Sequence, residues 1–482
     1  MLRLIYTVVL GLMLLDACGK TETVIRDGTL PLPEPPQSRP EDPIPDVKNP
    51  GGATIENDEL EQYALNDALS LNSADALNTV YLSGANFVNF NDDVQSAMKG
   101  TTLGLNLLSN RSFIESMRPV DPSKSIWAVD LRDFFGSKGL TNWRLIEDNA
   151  VVKIVSQTVR FKNLQFITQK RIPIMHAQIF METAMTAKIY YLLKDVPQNE
   201  NDFWALQGID RQRDFDQRDR EIFLAGFQDS LIAPDHNRMV RRMDGNNGTC
   251  WNTYDVDALN VVPENNYFLF PFVPEARSKR SLKHAAGEIL CRQQNGLFVM
   301  ALYNGAGVRA DVAPTTVVVN TRTAALGLDP SIAIRDCTGC HTQFVLPVRD
   351  EMGQNIKDRN FDASDKILGQ LFFKPQAQID SIIAEDNSEH ASALLRMGIQ
   401  SGGNKDPLNV GLIDKLRDGM DAKELAAFLY LPEAEFIQRL QASPQAGQEV
   451  GALLRGGTIG FIGLQASIQT IINDLNLFRD VN

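Results

Sequence analysis

Cysteine and histidine are scarce: five of each occur in 482 residues, too few cysteines for a small disulfide scaffold. Positive charge is also in deficit, with 47 lysines and arginines against 60 acidic residues and a formal net charge of −13. Phosphate neutralisation supplies most affinity for nucleic acid, so an acidic chain without a basic block excludes that class of partner. Long apolar runs are missing too. The N-terminal run, Leu4 to Leu15, has twelve residues, whereas crossing a bilayer takes about 20. No repeat of propeller or solenoid length is evident, and no phosphate loop, hydrolase triad or second metal cluster can be read. What remains is ordinary globular composition, 43% hydrophobic and 22% charged. At about 150 residues per domain the chain has room for two to four domains with cores of their own.

Leu4 to Leu15, preceded by Arg3, has the length and flanks of a signal h-region, which predicts export. Leu15-Asp16-Ala17-Cys18 resembles the lipobox of bacterial lipoproteins, so residues 1–17 read as a cleaved signal and Cys18 as the acylated new N-terminus. Gly19 after the cysteine fits passage to the outer membrane. Residues 18–57 then carry eight prolines between Pro31 and Pro50 and no aromatic residue past Cys18. Such a segment buries too little apolar surface to order itself, and it reads as a disordered, semi-extended tether. The expected location is the cell envelope, with the body held by lipid at the periplasmic or outer surface.

The folded part reads as α+β. Residues 58–245 look mainly helical, with a β-like interruption at Ile126 to Leu131 and a charged run from Arg211 to Arg220 expected to be solvated. Residues 246–325 switch to a β-meander: Glu288 to Arg292, a turn at Asn295-Gly296, Leu297 to Tyr303 and a turn at Asn304-Gly305. Residues 326–400 hold the cysteine-histidine motif and are expected to be helical. Residues 401–482 read as a C-terminal helical bundle, with helices over Asp421 to Tyr430 and Pro432 to Gln441, and a stop at Gly456-Gly457.

Cys337-Thr338-Gly339-Cys340-His341 has the C-x-x-C-H spacing of c-type haem attachment. Two thiols at this spacing add to the two vinyl groups on one porphyrin edge, and the next residue turns its imidazole to the iron. Small residues at Thr338 and Gly339 let the backbone pass close beneath the ring. A structural zinc site wants four ligands and usually a second cysteine pair. A thiol-disulfide redox pair wants a thioredoxin-like setting. A plain local disulfide is the third alternative. Cys250 and Cys291 remain, each beside predicted β structure. In an exported protein they read as a disulfide, which by loop closure contributes about 4 kcal/mol; two buried thiols are the alternative.

The sixth iron ligand is open at this level. His284, His390 and Met397 are the candidates, with His176, His236 and Met352 behind them. Met397 follows His341 by 56 residues but sits in what reads as a helix end, and His390 reads as a surface residue. Arg335 and Arg349 flank the motif and are candidates to pair with haem propionates.

The chain resembles a family of exported bacterial proteins with a single late C-x-x-C-H motif. The resemblance is carried, in order, by Tyr81-Leu82-Ser83 with Asn89, Val129 to Asp133 with Trp143, and Ala225-Gly226-Phe227 leading to Asn237-Arg238-Met239. It continues through Trp251 to Asp255, His284 with Gly287-Glu288-Ile289, Asn295-Gly296-Leu297, Ala313-Pro314-Thr315 and the motif, with Ala426-Ala427 and Gly456-Gly457 after it. The family segment matching His284 runs His-Asp-Gly-Gly-Glu; here it is His284-Ala285-Ala286-Gly287-Glu288. The resemblance implies one covalent haem c and makes His284 the expected distal ligand. The reading is a monohaem cytochrome passing single electrons between redox partner proteins of the envelope. A haem peroxidase or small-ligand sensor is one alternative, and a surface interaction protein with a structural haem is another.

Overall fold

A computed structural model describes residues 55–90, 92–217, 222–227, 238–256, 262–313, 334–400, 408 and 412–479. The expected signal segment, Cys18, His236 and the expected tether up to residue 54 lie outside the described residues; at the tether's expected end Ile55 is buried and Asn57 already begins a helix. All described residues fall in one compact unit, Thr54–Asn482. Helices and two separate sheets make up the body, the expected α+β class. Among the described residues no helix is long and apolar enough to cross a membrane.

The first sheet has strand order β2-β3-β1-β4: β1 Thr79–Ser83, β2 Arg118–Pro119, β3 Ile126–Asp130 and β4 Ile174–His176. β1 pairs antiparallel with β3 and parallel with β4. Every residue of β1 is buried; it is an inner strand, between β3 and β4, and buried strands lack the apolar-polar alternation that marks a half-exposed one. That is why β1 was hidden in a stretch expected to be helical, whereas β3 matches the interruption at Ile126 to Leu131. The adjoining helices are conventionally capped. Glu56 forms a capping box for Asn57–Ser70, and the Asp93 carboxylate accepts from the Ser96 amide at the start of Val94–Leu108.

Two C-terminal helices form where expected, Ala422–Phe428, opened by an Asp421 capping box, and Glu433–Ala442. They belong to the same compact unit as the rest of the described body and touch the first sheet. The Tyr430 hydroxyl donates to Ser83 Oγ at 3.1 Å, and Arg417 Nε donates to the buried Glu182 carboxylate at 3.0 Å. The Gln157 amide donates to the Phe478 carbonyl at 2.7 Å.

The second sheet is an antiparallel meander of β5 Phe223–Phe227, β6 Arg238–Gly245, β7 Gly248–Asp255, β8 Ala286–Arg292 and β9 Phe298–Asn304. It therefore begins some twenty residues earlier than the expected boundary at residue 246. The edge strand β9 is covered: the Met300 and Leu302 amides donate to the Tyr190 and Tyr191 hydroxyls at 3.1 and 3.0 Å, which removes an open edge.

Side chains alternate between the faces of this sheet. Arg238, Arg242, Trp251, Glu288 and Arg292 lie on one face, against the helix Gln376–Arg396. Arg241, Tyr254 and the Cys250–Cys291 disulfide lie on the other, against residues 200–217 and Glu275. The charged run at Arg211 was expected to be solvated. Its described part is a helix, Arg211–Gln217, that buries Asp214 and Phe215, and Arg211 pairs with Glu200 and Glu275.

One carboxylate docks the long helix. Asp386, 3% exposed, accepts from Arg242 Nε at 3.0 Å, Arg242 Nη2 at 3.1 Å, Thr249 Oγ1 at 2.7 Å and Trp251 Nε1 at 2.8 Å. Removing one partner of a buried pair strands the other charge. An Asp386→Ala variant is expected to lose about 3–5 kcal/mol of unfolding free energy in urea titrations. Glu389→Ala removes an acceptor that is 60% exposed in its pair with Arg292, and its cost is expected to stay near or below about 1 kcal/mol.

His176 adds a pH dependence. Its ring lies between Phe428 and Tyr430, with centroids 4.2 and 4.6 Å away, and burial pushes its pKa down to about 3. The unfolded chain protonates this ring near pH 6.5, the folded chain far lower, so acidification favours unfolding. Between about pH 6.5 and 4 this histidine alone should remove up to about 1.4 kcal/mol per pH unit. A His176→Phe variant should show a correspondingly flatter stability profile in denaturant titrations at stepped pH.

Candidate functional site

The C-x-x-C pair lies on a helix, Ile334–Cys340, where residues three apart share a side. Cys337 and Cys340 therefore point together. His341 sits one residue past the helix, its amide donating to the Cys337 carbonyl at 2.8 Å. The chain then turns back: the Phe344 amide donates to the His341 carbonyl at 3.0 Å, and His341 Nδ1 lies 2.7 Å from the Phe344 carbonyl oxygen. Phe344 has φ 78°, a left-handed conformation that a bulky residue holds only when its surroundings demand it.

Those surroundings come from the sheet and the long helix. The Asn387 side chain makes two 2.9 Å hydrogen bonds to the Val345 backbone, accepting from its amide and donating to its carbonyl. The Phe344 ring packs on Phe298 at 5.6 Å and under the Arg292 guanidinium, also at 5.6 Å. Because a carbonyl can only accept, the contact at Nδ1 places an N–H there. Nε2 is the nitrogen left to face Glu288.

On the Nε2 side stands Glu288 of β8, its Oε2 3.6 Å away. Glu288 is 8% exposed. Burial alone raises its carboxyl pKa, but His341, Arg238 and the Cys337 thiol together outweigh burial and hold it at about 2. Burial lowers the His341 pKa, and the Glu288 charge reverses this to a net rise. The Cys337 thiol, 4% exposed, is pushed well above the usual range by burial and by Glu288. Arg238, on the same face, donates from Nε to Asp255 Oδ1 at 2.5 Å.

The structure gathers Cys337, Cys340 and His341 but does not bring His284 to them. The His284 ring meets the edge of Tyr254, 5.0 Å between centroids; burial lowers its pKa, and the charges of Glu200, Asp255, Arg211 and Glu275 act on it. The expected distal ligand thus precedes β8 and packs on Tyr254 rather than on the motif. His390 was expected at the surface and is instead 2% exposed. Its ring packs on Phe298 at 5.1 Å and Phe344 at 6.1 Å, behind the His341 turn.

The other candidates are occupied elsewhere. Met352 is fully buried, and its sulfur accepts from Asn355 Nδ2 at 3.4 Å. Met397 caps the long helix and packs against the core. Arg349 is exposed, and the Arg335 side chain lies outside the described residues. Cys250 and Cys291 face each other in register on β7 and β8 and form a disulfide, with Cα atoms 4.1 Å apart.

The motif presents two thiols on one side of a helix, followed by an imidazole held at Nδ1 by a backbone carbonyl and facing Glu288 through Nε2. A bare-ion site such as structural zinc gains no support, since no three His, Cys, Asp or Glu side chains among the described residues are gathered around one point. Comparison of the chain with known protein families, curated proteins and solved structures finds no match.

Sequence reasoning missed Glu288 as a site residue. A single carboxylate inside a strand carries no local signature, and its partner lies 53 positions away. Asn387 is open to test as the clamp on the His341 turn. Asn387→Ala is expected to cost about 1–3 kcal/mol of local stability and to speed exchange of the Val345 amide roughly tenfold to a hundredfold in hydrogen-exchange measurements.

Proposed function

We propose that this chain is an exported lipoprotein carrying one covalent haem c, and that it moves single electrons between redox partner proteins of the cell envelope. Cys337 and Cys340 are the thioether positions and His341 the iron ligand; Cys18 anchors the body by lipid to the membrane. The observation that carries the reading is the His341 Nδ1 contact with the Phe344 carbonyl. It fixes the ring orientation and places an N–H at Nδ1, the supporting arrangement that metal-bound histidines use. Bound there, haem supplies a one-electron Fe(III)/Fe(II) couple.

The protein's own residues have three tasks. The Ile334–Cys340 helix presents both thiols from one side. The Asn387 clamp and the Phe298 and Arg292 contacts keep the imidazole turn from swinging away. Cys337 is buried while Cys340 is partly exposed, so one margin of the site is open to a docking partner. The resemblance to exported proteins with one late C-x-x-C-H motif points the same way. A thiol-disulfide role is disfavoured, because a reactive cysteine is accessible and electropositive in its surroundings, whereas Cys337 is buried beside a carboxylate. A second reading, small-ligand chemistry at the iron, draws on the Glu288 carboxylate facing Nε2.

The test is intact mass spectrometry of protein matured in cells with a haem-attachment system. The expected result is polypeptide plus one haem, resistant to acid-acetone extraction, and no added mass in a Cys337→Ala, Cys340→Ala double variant. Polypeptide mass alone for the parent protein overturns the proposal.

A further inference from the structure

We infer that the cavity between the helix Asn57–Ser70, β4 and Tyr430 is a binding site for a small protonated primary amine, whose ammonium group donates to Glu61 and to His176 Nε2. Residues far apart in the chain line it: Glu61 on that helix, His176 at the end of β4, and Tyr430 near the C-terminus. No residue of the meander or of the cysteine-histidine helix takes part, so the inference stands apart from the haem reading.

Two acceptors meet at this space without the donor each calls for. Glu61 is 1% exposed and accepts from Asn57 Nδ2 at 2.7 Å and from the Thr158 hydroxyl, both neutral groups. Arg160, two residues after Thr158, pairs with Asp58 and Gln62 instead, and among the described residues no cation pairs with Glu61. Burial therefore raises its carboxyl pKa, because an uncompensated charge is costly there. A cation entering the cavity removes that cost.

At His176 the hydrogen bonds settle where the proton sits. Tyr430 donates its one proton to Ser83 Oγ, so its 3.1 Å contact with His176 Nδ1 is donated by the ring. The ring is buried and neutral, which leaves a lone pair on Nε2. That buried atom has no hydrogen-bond partner. The Phe428 carbonyl beside the ring can only accept, so it does not fill this place. A buried acceptor without a donor calls for water or a ligand.

Size and lining select the ligand. The enclosed part of the cavity has room for about two water molecules, and much of its wall is apolar, Leu60 and Ile174 included. An ammonium group is close to water in size, and a short alkyl stem suits the apolar wall; a ring is too large, and an anion would meet Glu61. Among the described residues no third His, Cys, Asp or Glu joins Glu61 and His176, so a divalent metal lacks its ligands.

The experiment titrates the full-length protein with methylammonium and ethylammonium chloride at constant ionic strength, read by saturation-transfer NMR and by thermal unfolding. Both amines are expected to show saturable transfer and to raise the unfolding temperature. Potassium should not raise it, and tetramethylammonium, which has no N–H, should do neither. Glu61→Gln keeps the shape and removes the charge, and it should weaken methylammonium binding by at least about tenfold, the scale of a hydrogen bond to a charged group. His176→Phe should weaken it as well. Absence of saturable transfer from both amines overturns the inference. So does a response to tetramethylammonium or potassium equal to that of methylammonium, or a folded Glu61→Gln protein that binds unchanged. The comparison of salts on the parent protein decides the matter even if both variants fail to fold.

Discussion

The arrangement at the motif depends on Asp386. Its carboxylate gathers Arg242, Thr249 and Trp251 from two strands and fixes the register of the Gln376–Arg396 helix on the sheet. The next residue, Asn387, reaches the Val345 backbone from that register. Val345 follows Phe344, whose carbonyl orients His341. A buried charge network is weak evidence of stability in itself, because desolvation offsets much of the attraction. Its value here is positional: four donors converging on one carboxylate allow one helix placement, and the imidazole direction follows three contacts later.

The meander works as a partition. Its alternating side chains send one set of polar groups, Arg238, Glu288 and Arg292, toward the cysteine-histidine helix. The other set, Arg241, Tyr254 and the disulfide, goes toward residues 200–217. Each face has its own balanced charges. Arg211 and Arg241 meet Glu200 and Glu275 on one side, and Arg238 and Arg242 meet Asp255 and Asp386 on the other. Separation by a single strand layer keeps the two clusters chemically distinct even though their residues interleave in sequence.

Features encoded over short spans were legible before any coordinates. The C-x-x-C-H spacing lies within five residues, and the turns at Asn295-Gly296 and Asn304-Gly305 each lie within two. The pairing of Cys250 with Cys291 was one of two readings, buried thiols being the other, and the structure shows the disulfide. What escaped was set at long range. His284 and Glu288 are four residues apart and would share a face within one strand, but β8 begins only at Ala286. The Ala285 amide is drawn to the Asp255 carbonyl at 2.7 Å, and the His284 ring swings to Tyr254. The burial of His390 depends on Phe298 and Phe344, and the docking of the last helices on the first sheet on Ser83, all distant in sequence, for which local patterning has no signal.

Tyr430 and Ser83 are 347 positions apart in the chain yet hydrogen-bonded, and Phe478 holds Gln157 in the same body. Such non-local closure folds slowly because loop entropy must be overcome before the contacts form. It also makes completeness a condition of persistence. A polypeptide released early from the ribosome, short of Tyr430, keeps every residue of the cysteine-histidine motif but leaves the first sheet without its lid. In such a fragment Ser83 and His176 lose their Tyr430 partner, so the first sheet and the motif are tied to one another through the C-terminal segment.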